Sequence, residues 1–106
     1  MPRWLATALM RIRQLAESRR VLFTLKARQE LAGLESGLDE LDACDVLTRL
    51  KPQDFAGRIA SAVTGELLYV FKPRVAGAVV YVKVLLRNKC VVVSFHEDQG
   101  HAREED

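Results

Sequence analysis

The apolar positions of this chain follow three rhythms. Nearest the C-terminus, residues 78–86 and 90–97 are runs of β-branched and aromatic side chains separated by Arg87, Asn88 and Lys89, which predicts a strand, a tight turn and a second strand. With Asn88 and Lys89 in the turn, Val82 faces Phe95, Val84 faces Val93 and Leu86 faces Val91, so one side of the hairpin is apolar at every rung. The other side sets Tyr81 opposite His96, Lys83 opposite Ser94 and Leu85 opposite Val92. Slipping the pairing by one residue would bury Lys83 and His96, and that penalty selects the register.

Upstream the period becomes helical. Leu5, Leu9, Ile12 and Ala16, widened by Trp4, Ala8 and Leu15, form an apolar stripe over residues 2–18. Residues 21–24 are short and β-prone, and their pattern fits both an edge strand and the entry to the next helix. Ala27, Leu31 and Leu34 give the inward side of a second helix over residues 26–34, closed by Ser36 and Gly37. Asp39 reads as the N-cap of a third helix, with Ala43, Val46, Leu47 and Leu50 as its stripe and Pro52 as its stop. Glu40, Asp42 and Asp45 suit the dipole of its first turns.

Beyond Phe55, residues 58–63 read as a strand, Thr64 and Gly65 as a turn, and residues 66–72 as a second strand. That second strand is apolar on both parities, the third rhythm, which leaves the facing of Lys72 open. Helices followed by consecutive antiparallel strands predict an α+β domain, with N-terminal helices packed on one side of a C-terminal antiparallel sheet. Residues 1–97 make one domain, as the length suggests, and residues 98–106 a polar, acidic tail without fixed structure.

Composition changes this picture in three places. With 49% apolar residues among 106, the chain is expected to fold rather than stay disordered. The net charge of +2 conceals segregation: the first 28 residues are basic against Glu17 alone, residues 30–54 are acidic, residues 58–89 are basic against Glu66 alone, and the end is acidic. The sheet region is therefore basic and suits a polyanion. Cys44 and Cys90 form no disulfide framework and lack metal-ligand spacing with His96 and His101, so a reducing compartment is expected, with no metal or organic cofactor. No apolar run approaches the roughly 20 residues that span a bilayer. The arginine-rich start resembles an organelle transit peptide in composition, but its apolar positions continue into the helical stripe and assign it to the fold.

The polar side of the hairpin brings a phenol, an imidazole, an ammonium and a hydroxyl onto one patch. A solvated outer face accounts for such residues in an arbitrary hairpin. The chemical set favours function, because a side chain of the type that titrates near neutral pH sits beside a phenol and fixed cations.

These residues also carry a family likeness. Residues 41–46, Asp54 with Phe55, the runs 71–74 and 80–83, and residues 92–97 resemble the MqsR toxins, the motility and quorum-sensing regulator family of bacterial type II toxin–antitoxin systems. The similarity runs from about residue 38 to residue 97, in order and with nearly unchanged spacing.

The resemblance implies a RelE-like toxin fold and a metal-independent endoribonuclease of the cytoplasm. Such an enzyme cleaves messenger RNA by attack of the substrate's own 2′-hydroxyl and is held by a cognate antitoxin protein. The family's active residues are a lysine early in the sheet, a glutamine on the next strand, a tyrosine and a near-terminal lysine. Tyr81 matches the tyrosine, and His96 stands at the second lysine. Leu68 stands at the glutamine, and the first lysine falls at Gly57 or, with a one-residue gap, at Arg58.

The resulting assignment makes Tyr81, His96 and Arg58 catalytic and gives phosphate binding to Arg74, Lys83 and Lys72. The alternative, supported by Leu68, is an RNA- or antitoxin-binding module without chemistry. An edge strand near Val21 or at residues 58–63 would suit an antitoxin strand, and a homo-oligomer is compatible with the sequence.

Overall fold

A computed structural model describes residues 1–98. Of the tail expected at residues 98–106, residues 99–106 lie outside the described residues. Helix α1, Arg3–Glu17, buries Leu5, Ala8, Leu9, Ile12, Leu15 and Ala16, the stripe that the sequence predicts. It ends in a double closure: the Arg19 amide donates to the Ala16 carbonyl (3.1 Å) and the Arg20 amide to that of Leu15 (2.8 Å), with Arg19 at φ 60°. Glycine usually takes that left-handed position.

Residues 21–24 turn out to serve both of their alternatives. Strand β1, Val21–Phe23, is followed at once by helix α2, Leu25–Ala32, whose N-cap Thr24 accepts from the Ala27 amide at 3.1 Å. Helix α2 stops two residues short of the expected end, at Gly33. Helix α3, Glu40–Thr48, starts as predicted on Asp39, with a reciprocal capping box to Asp42 (2.8 and 3.0 Å).

A short 3-10 turn, Pro52–Asp54, leads into strands β2 (Phe55–Ala60), β3 (Leu67–Phe71), β4 (Arg74–Val75), β5 (Ala78–Leu86) and β6 (Cys90–Glu97). The order across the sheet is β1-β6-β5-β3-β2, with β4 paired to β5. The α+β class stands, and all pairs are antiparallel except one. Strand β1 lies parallel to β6, with Val21 opposite Cys90. A wholly antiparallel meander was expected because consecutive strands can be joined by short turns, whereas β1 reaches β6 across the rest of the chain.

The hairpin register is correct for its first rungs and wrong for its last. Tyr81 pairs with His96, Val82 with Phe95 and Lys83 with Ser94. A bulge at Val93 then shifts the pairing, so Val84 meets Val92, Leu85 meets Val91 and Leu86 meets Cys90. The bulge reverses the parity of β6: Cys90 and Val92 point into the core on even numbers, Phe95 on an odd one, and all three are fully buried. Without it, strict alternation from Val92 would send Ser94 and His96 to the helix side.

The core lies between the three helices and one face of the sheet, centred on Leu9, Ile12, Leu47, Phe71, Val82, Val84, Val92 and Phe95. Arg13 ties α1 to the end of α3 by donating from Nε to the Leu50 carbonyl at 2.9 Å.

Candidate active site

The face of β5 and β6 turned away from the helices carries the polar set. Strand alternation puts Tyr81, Lys83, Ser94 and His96 there, and the Tyr81 and His96 rings stack with centroids 4.9 Å apart and planes inclined by 13°. Two ammonium groups flank the phenol ring: Lys72 Nζ and Lys83 Nζ each lie 6.0 Å from its centroid, the outer limit of a cation–π contact. The facing of Lys72, open in the sequence, is thereby fixed. Its Nζ also lies 3.5 Å from the Asp98 carboxylate, and the Asp98 amide donates to the Val79 carbonyl at 2.8 Å. The first residue of the expected acidic tail is thus bonded to the sheet.

The patch is drier than an outer sheet face. Tyr81 is 1% exposed, Lys83 7% and Ser94 0%, while His96 is half-buried. An exposed phenol, the simplest expectation for a polar hairpin face, is not what folds; the imidazole stacks over the ring. Lys83 has no carboxylate within ion-pair distance among the described residues. A buried ammonium without a counter-charge is costly, and an anion entering beside it would relieve that cost.

Helix α2 adds a group that no local pattern discloses. Lys26 Nζ donates to Ser94 Oγ at 2.7 Å and pairs with Glu30 at 3.1 Å, and Glu30 Oε1 accepts from the Phe95 amide at 3.0 Å. Thr24 holds the same edge, donating its amide to the Val92 carbonyl (3.1 Å) and its hydroxyl to that of Val93 (3.3 Å). Beyond the three rungs that β1 covers, side chains and the N-terminal turn of α2 satisfy the edge of β6. The spacing of Lys26 and Glu30 is visible in sequence as an i,i+4 pair. Its attachment to a strand nearly 70 residues later is not.

Not every expected residue joins the patch. Arg58 pairs across with Tyr69, and Tyr69 with Val84, so alternation places Arg58 on the helix side of the sheet, where its guanidinium lies 3.7 Å over the Trp4 ring. This corrects its expected place beside Tyr81. The neighbouring Gly57 occupies the polar face, opposite Val70, which in turn pairs with Lys83, and open space lies on its side-chain side. Leu68 lies on that face too, between Ile59 and Leu85. Arg74 is exposed on β4 and lines a cleft of about 500 Å³ with Arg49, Lys51, Asp42 and Asp45 of the α3 region. A second cleft runs between α1 and the ends of β3 and β5. Neither cleft includes Tyr81 or His96.

The two cysteines are free and buried. Burial pushes the Cys90 thiol up to about 12 and raises that of Cys44 as well, against a lowering influence from Arg19. Neither is a nucleophile at neutral pH. Among the described residues no group of three or more His, Cys, Asp and Glu side chains could hold a metal ion, and no helix is long and apolar enough to cross a membrane.

None of the curated proteins compared with the chain matches it. A family model described as "Motility quorum-sensing regulator, toxin of MqsA" matches residues 6–97. That span takes in all three helices apart from the first residues of α1, every strand of the sheet and the whole Tyr81–His96 patch. The chain therefore belongs to the MqsR family, the toxins of toxin–antitoxin pairs.

Proposed function

We propose that this toxin is an endoribonuclease that cuts messenger RNA in the cytoplasm without a metal ion, and that its cleavage centre is the Tyr81–His96 stack. The observation that carries the reading is that stack, at 4.9 Å, set between two lysine ammonium groups at 6.0 Å from the phenol ring. In the reaction, the 2′-hydroxyl gives up its proton to a base, O2′ bonds to phosphorus, and the bond from phosphorus to O5′ breaks. The leaving oxygen takes a proton, giving a 2′,3′-cyclic phosphate and a 5′-hydroxyl.

His96 is the proton carrier, because imidazole is the side chain suited to both halves of that exchange. Tyr81 orients it by stacking and offers a phenol to the attacking or leaving oxygen. Lys83 and Lys72 stabilise the charge that develops on the phosphate, with Lys72 released from Asp98 when RNA enters. Arg74 holds phosphate farther along the strand. Arg58, on the other face, takes no part in the chemistry.

The cognate antitoxin binds an open sheet edge; β1 and β2 are the two outer strands, and both were candidates from sequence. A second reading, an RNA- or antitoxin-binding module without chemistry, is favoured by Leu68 at the glutamine position and by the burial of Tyr81.

The test is incubation of the purified chain with a defined single-stranded RNA in EDTA, with His96→Ala alongside. Fragments ending in cyclic or 3′-phosphate and in 5′-hydroxyl, absent with the variant, support the nuclease. RNA that binds and stays intact moves the conclusion to the binding module.

A further inference from the structure

Arg58 and Trp4, left out of the cleavage centre, belong to another surface. The N-terminal half of α1 and the ends of β3 and β5 enclose a groove of about 740 Å³, lined by Arg3, Trp4, Arg11, Leu67 and Tyr69 among others. Trp4 is 37% and Leu67 42% exposed. The indole is the centre of the arrangement: the Arg58 guanidinium lies 3.7 Å over it, the Tyr69 ring is 6.3 Å away, and the edge of Phe55 supports it at 5.5 Å.

The charge of the groove is one-sided. Arg3 in the lining, and Arg58 on the indole beside it, have no carboxylate partner among the described residues. Arg11 donates to the Arg87 carbonyl, which leaves its positive charge unneutralised. The one carboxylate in the lining, Glu66, is held by Arg87 through two hydrogen bonds at 2.7 and 3.1 Å.

We infer that this groove binds single-stranded RNA away from the cleavage centre, with a base stacked on the Trp4–Arg58 pair and phosphates on Arg3 and Arg11. Flat aromatic and guanidinium surfaces take any base, and neighbouring cations take the backbone. The volume, about 740 Å³, is that of a small-ligand cleft and far short of a folded partner.

The sheet also argues against a peptide strand here. Strand β3 is flanked on both sides, by β2 and β5, and the one open edge nearby, that of β2, contributes no residue to the groove lining, so what enters the groove is recognised by stacking and charge. The inference takes from the proposed function only that RNA is the partner; it does not require that the chain cuts RNA.

Trp4 is the single tryptophan of the chain, so its fluorescence reports on the groove directly. The experiment titrates the protein with a short 2′-O-methyl oligoribonucleotide, which cannot be cleaved by 2′-hydroxyl attack, and follows both Trp4 emission and polarisation of a labelled copy. Saturable quenching is expected. Binding should weaken by about tenfold in Trp4→Ala and in Arg58→Ala, with circular dichroism confirming the fold. Arg3→Ala should lessen the salt dependence by about 0.7 in the slope of log affinity against log salt.

An oligonucleotide that binds without quenching Trp4, or with affinity unchanged in both stacking variants, would overturn the inference. So would a groove that is quenched by an acidic peptide and not by the oligonucleotide, which would assign it to a protein. Since the probe is uncleavable, loss of nuclease activity in the EDTA assay leaves this result untouched, and the two conclusions fail separately.

Discussion

Strands β5 and β6 have two faces, both dry and made by different means. On the helix side, Val82, Val84, Val92 and Phe95 are fully buried because three helices lie over them. On the other side, Tyr81 and Ser94 are buried to nearly the same degree, yet what lies on them is local: an imidazole stacked on Tyr81, and Lys26 from the first turn of α2 bonded to Ser94. Low exposure therefore does not separate core from site in this molecule. The covering agent does, since the core face is sealed by whole helices, whereas the Tyr81 ring is covered by a single stacked imidazole that is itself half-buried.

That contrast is sharpest at adjacent residues. Replacing Phe95 with alanine should cost about 3–5 kcal/mol, seen as a collapse of the urea midpoint. His96→Ala, one position on, should leave that midpoint within about 1 kcal/mol while lowering the cleavage rate by about 10²–10⁴-fold in the fragment-end assay. A His96 variant that unfolds, or a Phe95 variant that does not, would erase the distinction between the faces.

An intermediate effect is expected where the two faces meet at the edge of β6. Glu30→Ala removes the acceptor of the Phe95 amide and the partner of Lys26, at about 1–3 kcal/mol. Hydrogen exchange should speed up at Phe95 before it does at Val82.

Alkaline pH tests the core face through Cys90. The Cys90 thiol is held protonated to about 12 by burial, above its ordinary value of 9.0. The unfolded chain therefore loses that proton first, and stability should be intact below about pH 9 and fall as pH rises toward 12. Chemical denaturation at stepped pH measures this; a Cys90→Ala variant should lose that part of the slope. Alkylation of Cys90 in the native protein should be slow throughout the neutral range. The smallest effect belongs to Glu66 and Arg87, whose mutual hydrogen bonds hold the carboxyl below and the guanidinium above their usual ranges. Both are open to solvent, so Glu66→Gln should shift the urea midpoint too little to resolve.

Much of the architecture can be read from periodicity because periodicity is what burial selects. The α1 stripe, the Asp39 cap and the pairing of Tyr81 with His96 all follow from side-chain spacing and local chemistry. The bulge at Val93 does not, since the run from Val91 to Val93 is apolar at every position and gives no sign of which residue is extra. Arg58 was misplaced for a related reason. A second irregularity, between Phe55 and Gly57, resets the parity of β2, and the facing emerges only from its pairing with Tyr69 and the contact with Trp4. Lys26 and the parallel pairing of β1 depend on contacts between distant parts of the chain, which no local window contains.

The partnership of β1 with β6 also bears on how the toxin comes into being. A chain emerging from the ribosome presents α1, β1, α2 and α3 long before Cys90–Glu97 exists, so β1 and the first turn of α2 have nothing to lean on until the final strand is out. That same strand brings His96. Closing so long a loop is slow relative to local helix formation, so the protein acquires its shape and its proposed proton carrier in one late step. Under the proposed function, cleavage therefore waits until Cys90–Glu97 has been made.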